Sequence, residues 1–475
     1  MNKKNILSLV NSFIVSQNTI ADVEYELNNI TTNLQNALSG DLVFYKVNPA
    51  DEKSCSNFKI RLESSNPGLL VLNHGAEFTK NKNCIFVDED NFLIIQKLVL
   101  DKLFPNKNKL KVVGVTGTNG KTTTVNLGMQ VSSLLGHAAI SIGTIGVQDI
   151  NGTLIKDTES TTPSYVELRK LIHRFQDDYE TCFLEVSSHA LVQERIFDIK
   201  LEAAAWTSFS QDHLDYHRTM EEYFKAKLLI ESKYLNENQS LIIPKLENEL
   251  YELILKNAPK TKIKIAKTLD ERGFGKTLGD RPLFFHSTYN QSNMELALEL
   301  NEVLYGGAGL ENIHLKNIMA PPGRFTIIEL TRNNMVIVDY AHTADALKNI
   351  GNAIKNAFPN HSLTVIFGCG GNRDKSKRPV MGKTVSEFAN KIIVTSDNPR
   401  DEEPEDIIIE ILAGIKENYE AVVDREKAIV AALVSLNKNE IILIAGKGHE
   451  EYQEIKGVKY PFSDFNVVKN FKIGS

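Results

Sequence analysis

The stretch "KVVGVTGTNGKTTT", residues 111–124, combines residue types that could hold a nucleotide's phosphates. A strict phosphate loop would put its first glycine at 115, where Val115 stands, and the glycines instead are Gly114, Gly117 and Gly120. Val112, Val113 and Val115 read as a buried strand. Gly117 and Gly120 let backbone N–H groups of the loop approach phosphate oxygens. Lys121 can reach the β and γ oxygens and Thr122 can hold Mg2+. A plain glycine-rich turn accounts for less, because strand, glycines, Gly-Lys-Thr and a helical continuation coincide. A switch-type GTPase would need Asn-Lys-x-Asp, and the nearest approach is "NKNE" at 437–440, in the last third of the chain.

Two further stretches carry candidate chemistry. In "TCFLEVSSHALVQERI" Glu185 ends an apolar run, where a carboxylate could meet Mg2+; Ser187, His189, Gln193 and Arg195 follow it. A surface loop could hold these polar groups without function. In "SQDHLDYHRTMEEYFKAKLLI" His213 and His217 could be metal ligands or satisfied structural histidines. On a helix Lys225 has Glu221 and Glu222 at its pairing positions, an ordinary solvated arrangement. Lys227 instead shares an apolar stripe with Tyr223, Phe224 and Ile230. Desolvation lowers an ammonium's pKa, and a neutral amine can react with CO2 to give a carbamate, an anionic metal ligand. The plainer reading of Lys227 is a snorkelling lysine.

The elements that must position these residues follow from pattern and composition. At 475 residues the chain suggests about three domains. Hydrophobic residues at 42%, charged residues at 24% and no long apolar run describe a soluble globular chain, and a net charge of −6 argues against a nucleic-acid binder. Cys55, Cys84, Cys182 and Cys369 lack paired spacing, as expected of reduced thiols in a cytoplasmic protein. "MNKKNILSLVNSFIV" has Asn11 and Ser12 inside its apolar stretch and no small-residue cleavage site, so an amphipathic first helix is expected rather than a signal peptide. The Pro/Asn/Lys stretch "FPNKNKLK" and the Pro-Pro-Gly of "MAPPGRF" mark boundaries, predicting domains over 1–108, 109–319 and 320–475. Strand-like runs alternate with helical stretches, so the fold class is α/β with parallel sheets. In the last domain "NMVIVDYAH", "LTVIFGCGG", "NKIIVTSDN" and "IILIAGKGH" are each an apolar run ending in Gly, Asp, Asn or His. Such ends gather on the edge where open α/β sheets bind ligands.

The motifs "GVTGTNGKTTT", "ESTTPS", "EVSSHALVQER", "DHLDYH", "FKAK", "YNQSN", "PPGRF", "VDYAHTADAL", "GCGGNRDKSKRP", "SDNPR" and "GKGHE", in this order over roughly 109–460, resemble those of the Mur ligases, above all the UDP-N-acetylmuramoyl-tripeptide synthetases. The resemblance implies a three-domain enzyme: an N-terminal UDP-binding domain, a central P-loop ATPase-like domain and a C-terminal Rossmann-like domain. It implies that ATP phosphorylates the D-glutamate γ-carboxylate of UDP-MurNAc-L-Ala-D-Glu, and that the acyl phosphate accepts the amine of meso-diaminopimelate in peptidoglycan precursor synthesis. A carboxylate is a poor electrophile and needs that activation; the charge on the transferring phosphoryl group needs cations.

By the same resemblance, Thr122 and Glu185 serve one Mg2+, and His213 with a carbamate on Lys227 serves another. The loop from Gly117 to Thr123, Asn293, Arg324 and Asp339 bind ATP, with His342 in the same motif. Thr161, Thr162, Ser187, Gln193 and Arg195 hold the muramoyl dipeptide. Arg373, Asp397, Asn398, Pro399, Arg400, Gly446 and Glu450 form the amino-acid pocket, in which an arginine fork suits a distal carboxylate and Glu450 suits the distal ammonium. A monomer with no membrane or nucleic-acid partner is implied.

The sequence departs from the family pattern at three places. Relatives place Asp-Ser-Arg before the Gly-Asp-Leu signature, where this chain has Asn33, Leu34 and Gln35. Ala344 stands where proline is common and Asn372 where aspartate is commoner. Lanthionine or L-lysine in place of diaminopimelate, a folylpolyglutamate-synthase-like ligase and a silent ATP-binding module are the alternatives. The folate reading lacks the "DNPR" to "GKGHE" pocket, and the silent module predicts loss of Lys121, Glu185 or Lys227, all of which are present.

Overall fold

A computed structural model describes residues 3–18, 26–27, 29–73, 83–150, 152–158, 160–274, 282–331 and 333–474. They form two compact units. The first comprises Met1–Lys111 with Thr162–Glu180 and Gln193–Ile199; the second comprises Val112–Thr161, Thr181–Val192 and Lys200–Ser475.

The first unit is built on five strands, β1 (Ile14–Asn18), β2 (Asn29–Thr31), β3 (Asp41–Tyr45), β4 (Leu69–Asn73) and β5 (Cys84–Val87). Their order is β1-β5-β4-β3-β2, parallel except for β1. The amphipathic first helix forms over Lys3–Val10 and buries Ile6 and Val10. Leu34 is fully buried in this unit's apolar core, beside Val43, Phe58 and Leu70. The divergent Asn33-Leu34-Gln35 stretch therefore turns its middle side chain to packing. Helix Tyr165–Phe175 adds Tyr165 and Val166 to a second apolar cluster of the same unit. Arg169, on that helix, is completely buried and ion-paired with Asp101 at 2.7 Å and with Asp198. Two carboxylates on one buried guanidinium meet the requirement that an interior charge be paired.

The second unit contains two large sheets. The first has strands β6 (Lys111–Thr116), β7 (Ala139–Gly143), β8 (Gly146–Gln148), β9 (Leu154–Lys156), β10 (Thr181–Glu185), β11 (Leu201–Trp206), β12 (Leu241–Ile243) and β13 (Ile263–Ile265), ordered β13-β12-β11-β6-β10-β7-β8-β9. β13, β12, β11 and β6 run parallel, as do β10 and β7, while β8 and β9 add an antiparallel edge. The second sheet is ordered β14-β15-β19-β16-β17-β18, with β14 (Thr326–Thr331) antiparallel to β15 (Asn334–Asp339). The remainder, β16 (Ser362–Phe367), β17 (Lys391–Thr395), β18 (Tyr419–Val422) and β19 (Glu440–Ala445), are parallel. β19 inserts between β15 and β16, so the strand order reverses there, and the carboxyl ends at that reversal are where open α/β sheets take ligands. A hairpin, β20 (Tyr452–Ile455) and β21 (Val458–Pro461), follows.

One apolar cluster continues from Leu127 and Val131 of helix Lys121–Leu134, through Met294 and Leu298 of helix Thr288–Tyr305, to Ile337, Leu363 and Leu443 of the second sheet. At the connection Gln130 exchanges two hydrogen bonds with the backbone of Met319, both 2.9 Å. The loop-bearing helix and the second sheet thus share a core.

Candidate active site

The carboxyl ends of β6, β7, β10 and β11 lie side by side, and each delivers one part of the site. β6 runs into the loop Gly117–Gly120. Gly117 and Gly120 have φ of 149° and 87°, values that only glycine adopts freely. A Cβ on Gly117 would stand 1.9 Å from Thr207 Oγ1, and one on Gly120 2.5 Å from Asn293 Oδ1, so shape and backbone both require these glycines. The segment after β11 staples the loop: Thr118 N donates to Ser208 O at 2.9 Å, Asn119 N to Ser208 Oγ at 3.0 Å, and Thr207 Oγ1 to Asn119 O. Lys121 Nζ donates to the carbonyls of Gly117 (2.8 Å) and Thr118 (2.9 Å).

Glu185, at the end of β10, is 1% exposed and accepts from Thr122 Oγ1 at 3.0 Å, Thr144 N at 2.8 Å and Thr144 Oγ1 at 3.2 Å. Burial raises its pKa and lowers that of Lys121, and the attraction between the two opposes both shifts. Thr161 joins through a 3.1 Å hydrogen bond between its hydroxyl and that of Thr144. Asn293 abuts the loop from helix Thr288–Tyr305, accepting from Thr124 Oγ1 at 3.2 Å.

Lys227 is 1% exposed, with Nζ donating to Gly117 O at 2.8 Å and lying 4.6 Å from the Tyr223 ring centroid. Burial, with the neighbouring Lys121, holds its pKa well below the ordinary ammonium value. His213 has left-handed φ of 56° and also packs on Tyr223, edge to face with 6.0 Å between ring centroids. Burial pushes it down to about 3, against the pull of Asp212, whose carboxylate is 3.4 Å from its Nε2. His217 is a structural histidine, its Nε2 2.8 Å from Ser188 Oγ. Among the described residues no three His, Cys, Asp or Glu side chains form a metal cage. Pairs such as Thr122 with Glu185 suit a cation that keeps waters and takes phosphate oxygens, as Mg2+ does.

The second sheet reaches the same loop. Arg324 donates to Thr122 Oγ1 at 2.9 Å and stacks 4.3 Å above the Tyr340 ring. Asp339, closing β15, accepts from the N–H groups of Phe325 and Ala341, both at 2.7 Å, which fixes the turn carrying Arg324. Asn119 donates to Thr343 Oγ1 (3.2 Å) and Asp345 (3.3 Å). Thr343 caps helix Ala344–Ala357, and Ala344 is the first helical residue, where proline's missing N–H would leave no intrahelical bond unmade. Asp212 is 3.5 Å from Lys377 Nζ and 3.8 Å from His342 Nε2.

The amino-acid residues form a second cluster at the ends of β16, β17 and β19. Asn398 is 3% exposed and donates to Glu450 Oε2 at 2.8 Å, while Gly446 passes so close to Asp397 that a Cβ would lie 2.6 Å from Oδ2. Pro399 places its backbone against Gly371, where a Cβ would lie 1.9 Å from Pro399 O. Arg400 has φ of 52°, donates to Gly371 O at 2.8 Å and pairs with Glu454 at 3.2 Å. Gly370 leaves room for Arg400, and Arg373 lies on the same side of it: a Cβ there would be 2.9 Å from Arg400 Nη1 and 3.8 Å from Arg373 Cγ. Asn372 adopts φ of 52°, which Asn tolerates as Asp does, and donates to Asp401 at 2.6 Å. This cluster is joined to the loop through Tyr340, whose ring is 5.4 Å from that of His449, next to Glu450.

Five other predicted contacts divide between the units. Thr161 and Ser187 lie in the second, where Ser187 Oγ accepts from Ala190 N at 3.1 Å. Thr162, Gln193 and Arg195 lie in the first, Arg195 donating to Thr162 O at 2.6 Å and to Gln193 Oε1 at 2.8 and 3.0 Å. Sequence reasoning missed Gly143, Thr144, Thr207, Ser208, Asp212, Lys377, Lys447 and Glu454. Asp212, Lys377 and Lys447 sit inside quoted motifs, so proximity in sequence was a signal; the others had none.

A phosphate loop at the carboxyl edge of one parallel sheet, facing the strand ends of a second doubly wound sheet, defines a P-loop α/β protein with two ligand-binding sheets. Residues 115–315 match the Mur ligase middle domain, and residues 323–448 match the glutamate ligase domain of the same ligases. The chain is 38% identical over 419 residues to a UDP-N-acetylmuramoyl-L-alanyl-D-glutamate--2,6-diaminopimelate ligase of Rickettsia montanensis, covering 82% of this chain and 86% of that one. The protein of the same name from Aquifex aeolicus is 37% identical over 402 residues, 81% and 82% of the two chains. A solved structure of a ligase so named superimposes with a TM-score of 0.54 at 25% identity, covering 96% of this chain and 97% of its own. The chain belongs to the Mur ligase family.

Proposed function

We propose that the protein is an ATP-dependent ligase that joins meso-diaminopimelate to the D-Glu γ-carboxylate of UDP-MurNAc-L-Ala-D-Glu. The relatives named above carry that activity in their names. The observation that carries the reading here is the wiring of an arginine-and-carboxylate pocket to the phosphate loop: Arg400, Arg373, Asn398 and Glu450 on one side, Thr122 and Lys121 on the other, joined through Arg324, Tyr340 and His449.

Lys121 and Arg324 would face the transferring phosphoryl group, whose charge rises in the transition state. Gly117 to Thr123 and Asn293 hold the nucleotide, and Asp339 keeps Arg324 in place. Thr122 and Glu185 would hold one Mg2+, and His213 with a carbamylated Lys227 another; the metal supplies charge neutralisation at phosphate oxygens. The neutral amine that burial favours at Lys227 is the form that takes up CO2. Thr161, Thr162, Ser187, Gln193 and Arg195 bind the muramoyl dipeptide in this reading, and the first unit binds its UDP. In the pocket Arg400 and Arg373 receive the distal carboxylate, and Glu450 the distal ammonium.

Incubation with ATP, Mg2+, the UDP-MurNAc dipeptide and a panel of diamino acids, with mass analysis of the product, tests this. A tripeptide formed from meso-diaminopimelate is the expected result. A product made only with lanthionine or L-lysine moves the assignment to that amino acid, and no tripeptide with any of them refutes it. Arg400→Asn should raise the KM for meso-diaminopimelate while leaving the KM for ATP unchanged.

A further inference from the structure

Lys447 is a fully buried ammonium to which neither the family motifs nor the proposed substrate contacts assign a task. It follows the end of β19. Its Nζ donates to Glu450 Oε2 at 2.8 Å and to Asn398 Oδ1 at 3.0 Å, and lies 5.6 Å from the Tyr452 ring centroid. Asn398 closes the triangle by donating its own amide to the same Oε2 at 2.8 Å. Asn398 cannot swing away, since its Oδ1 also accepts from Glu454 N (2.9 Å) and its carbonyl from Gly371 N (2.9 Å).

Two consequences follow. Oε2 of Glu450 is saturated by two inward donors, whereas Oε1 makes no hydrogen bond among the described residues. Burial pushes Asp397 up, but Lys447 and Arg425 outweigh it and keep that carboxylate below its usual value. Arg425 is matched by its own buried pair with Asp464, so Asp397 and Glu450 against Lys447 leave one negative charge in excess, enough for one cation.

We propose that Lys447 is the positioning residue that makes this pocket select an amino acid with an ammonium group at its distal end. It holds Glu450 by one oxygen so that the other is presented to the substrate, and it cancels one of two adjacent carboxylates so that a single cation is matched. The inference rests on the function proposed above.

The test compares meso-diaminopimelate with L-2-aminopimelate, which has the distal carboxylate but no distal ammonium. Lys447→Met should raise the KM for meso-diaminopimelate at least about tenfold, the scale of one charge-assisted hydrogen bond, and leave the KM for ATP unchanged. The wild-type preference in kcat/KM for meso-diaminopimelate over aminopimelate should collapse. Glu450→Gln should lose the same preference, and Lys447→Met/Glu450→Gln should lose no more than Glu450→Gln alone, because Lys447 acts through Glu450. Equal losses for both amino acids, a changed KM for ATP, or additive losses in the double variant would overturn the proposal. Should the single lysine variant not fold, the double variant, which removes both charges together, carries the test: a wild-type preference retained in it overturns the role. If the wild-type chain joins none of the diamino acids, the functional reading has failed and this role falls with it. If it does use meso-diaminopimelate and the preference survives in Lys447→Met, the Lys447 assignment alone is wrong.

Discussion

Gly143→Ala probes the carboxylate at the centre of the site without replacing a charged residue. Gly143 ends β7 beside Glu185, which ends β10, and an added Cβ would lie 2.0 Å from Glu185 Oε1 and 2.6 Å from its Cδ and Cγ. The φ of Gly143 is not in the left-handed region, so the backbone accepts alanine and the conflict is purely steric. Restoring ordinary contact moves the carboxylate by roughly 1 Å or more, in a pocket where it is 1% exposed. Overpacking of this kind costs about 1–3 kcal/mol. A shift of that size also stretches the bonds from Thr122 (3.0 Å) and Thr144 (2.8 Å), and losing one bond to a buried charge costs about 1.5–3 kcal/mol. The sum predicts a stability loss of about 2.5–6 kcal/mol by urea denaturation and, from misplacement at a reacting centre, a kcat lower by about 10²-fold. Gly143→Ala/Glu185→Asp, with a shorter acid, should recover much of the stability but not the rate. A Gly143→Ala protein with the wild-type denaturation midpoint and a kcat within about threefold of wild type would refute the placement of Glu185.

Lys227→Ala should abolish amide synthesis and be partly rescued by added short-chain carboxylates; a carbamate resonance in 13C NMR after exposure to labelled CO2 should be present in the wild type and absent in the variant, and activity retained without rescue would show that no carbamate is needed. Arg425 makes a fully buried two-pronged pair with Asp464, both contacts 2.8 Å, so Arg425→Met should cost about 3–5 kcal/mol in denaturation, most of it recovered by Arg425→Met/Asp464→Leu. Burial lowers His342 and His449 to about 4, from an ordinary value of 6.5. The unfolded chain therefore binds more protons between those values, and stability is full above about pH 6.5 and declines as pH falls towards 4. Denaturation midpoints that stay level over that range in the wild type, or a slope that His342→Gln leaves unaltered, would contradict the assignment.

The sequence by itself determined the chemistry that depends on local spacing. Gly117, Gly120, Lys121 and Thr122 lie within six residues of one another, so a strand, a turn and a helix start suffice to place them, and the structure has them in that arrangement. Apolar runs ending in Asp, Asn or Gly were enough to assign Asp339, Asp397 and Gly446 to strand ends, since a parallel α/β sheet leaves few other places for such a pattern. The helical stripe of Tyr223, Phe224 and Ile230 left Lys227 between a snorkelling and a buried lysine, and the structure, in which it is 1% exposed, has it buried. Which strands are neighbours is a different matter. Gly143 has meaning only because β7 pairs with β10, Thr207 and Ser208 only because β11 lies beside β6, and Lys447 only because β19 inserts between β15 and β16. The assignment of residues 162–180 and 193–199 to the first unit likewise rests on packing, with Tyr165 and Val166 buried against residues of the first hundred and Arg169 paired with Asp101, 68 positions away, and with Asp198. These contacts are set by burial of complementary faces brought together from distant parts of the chain, and no local period encodes them.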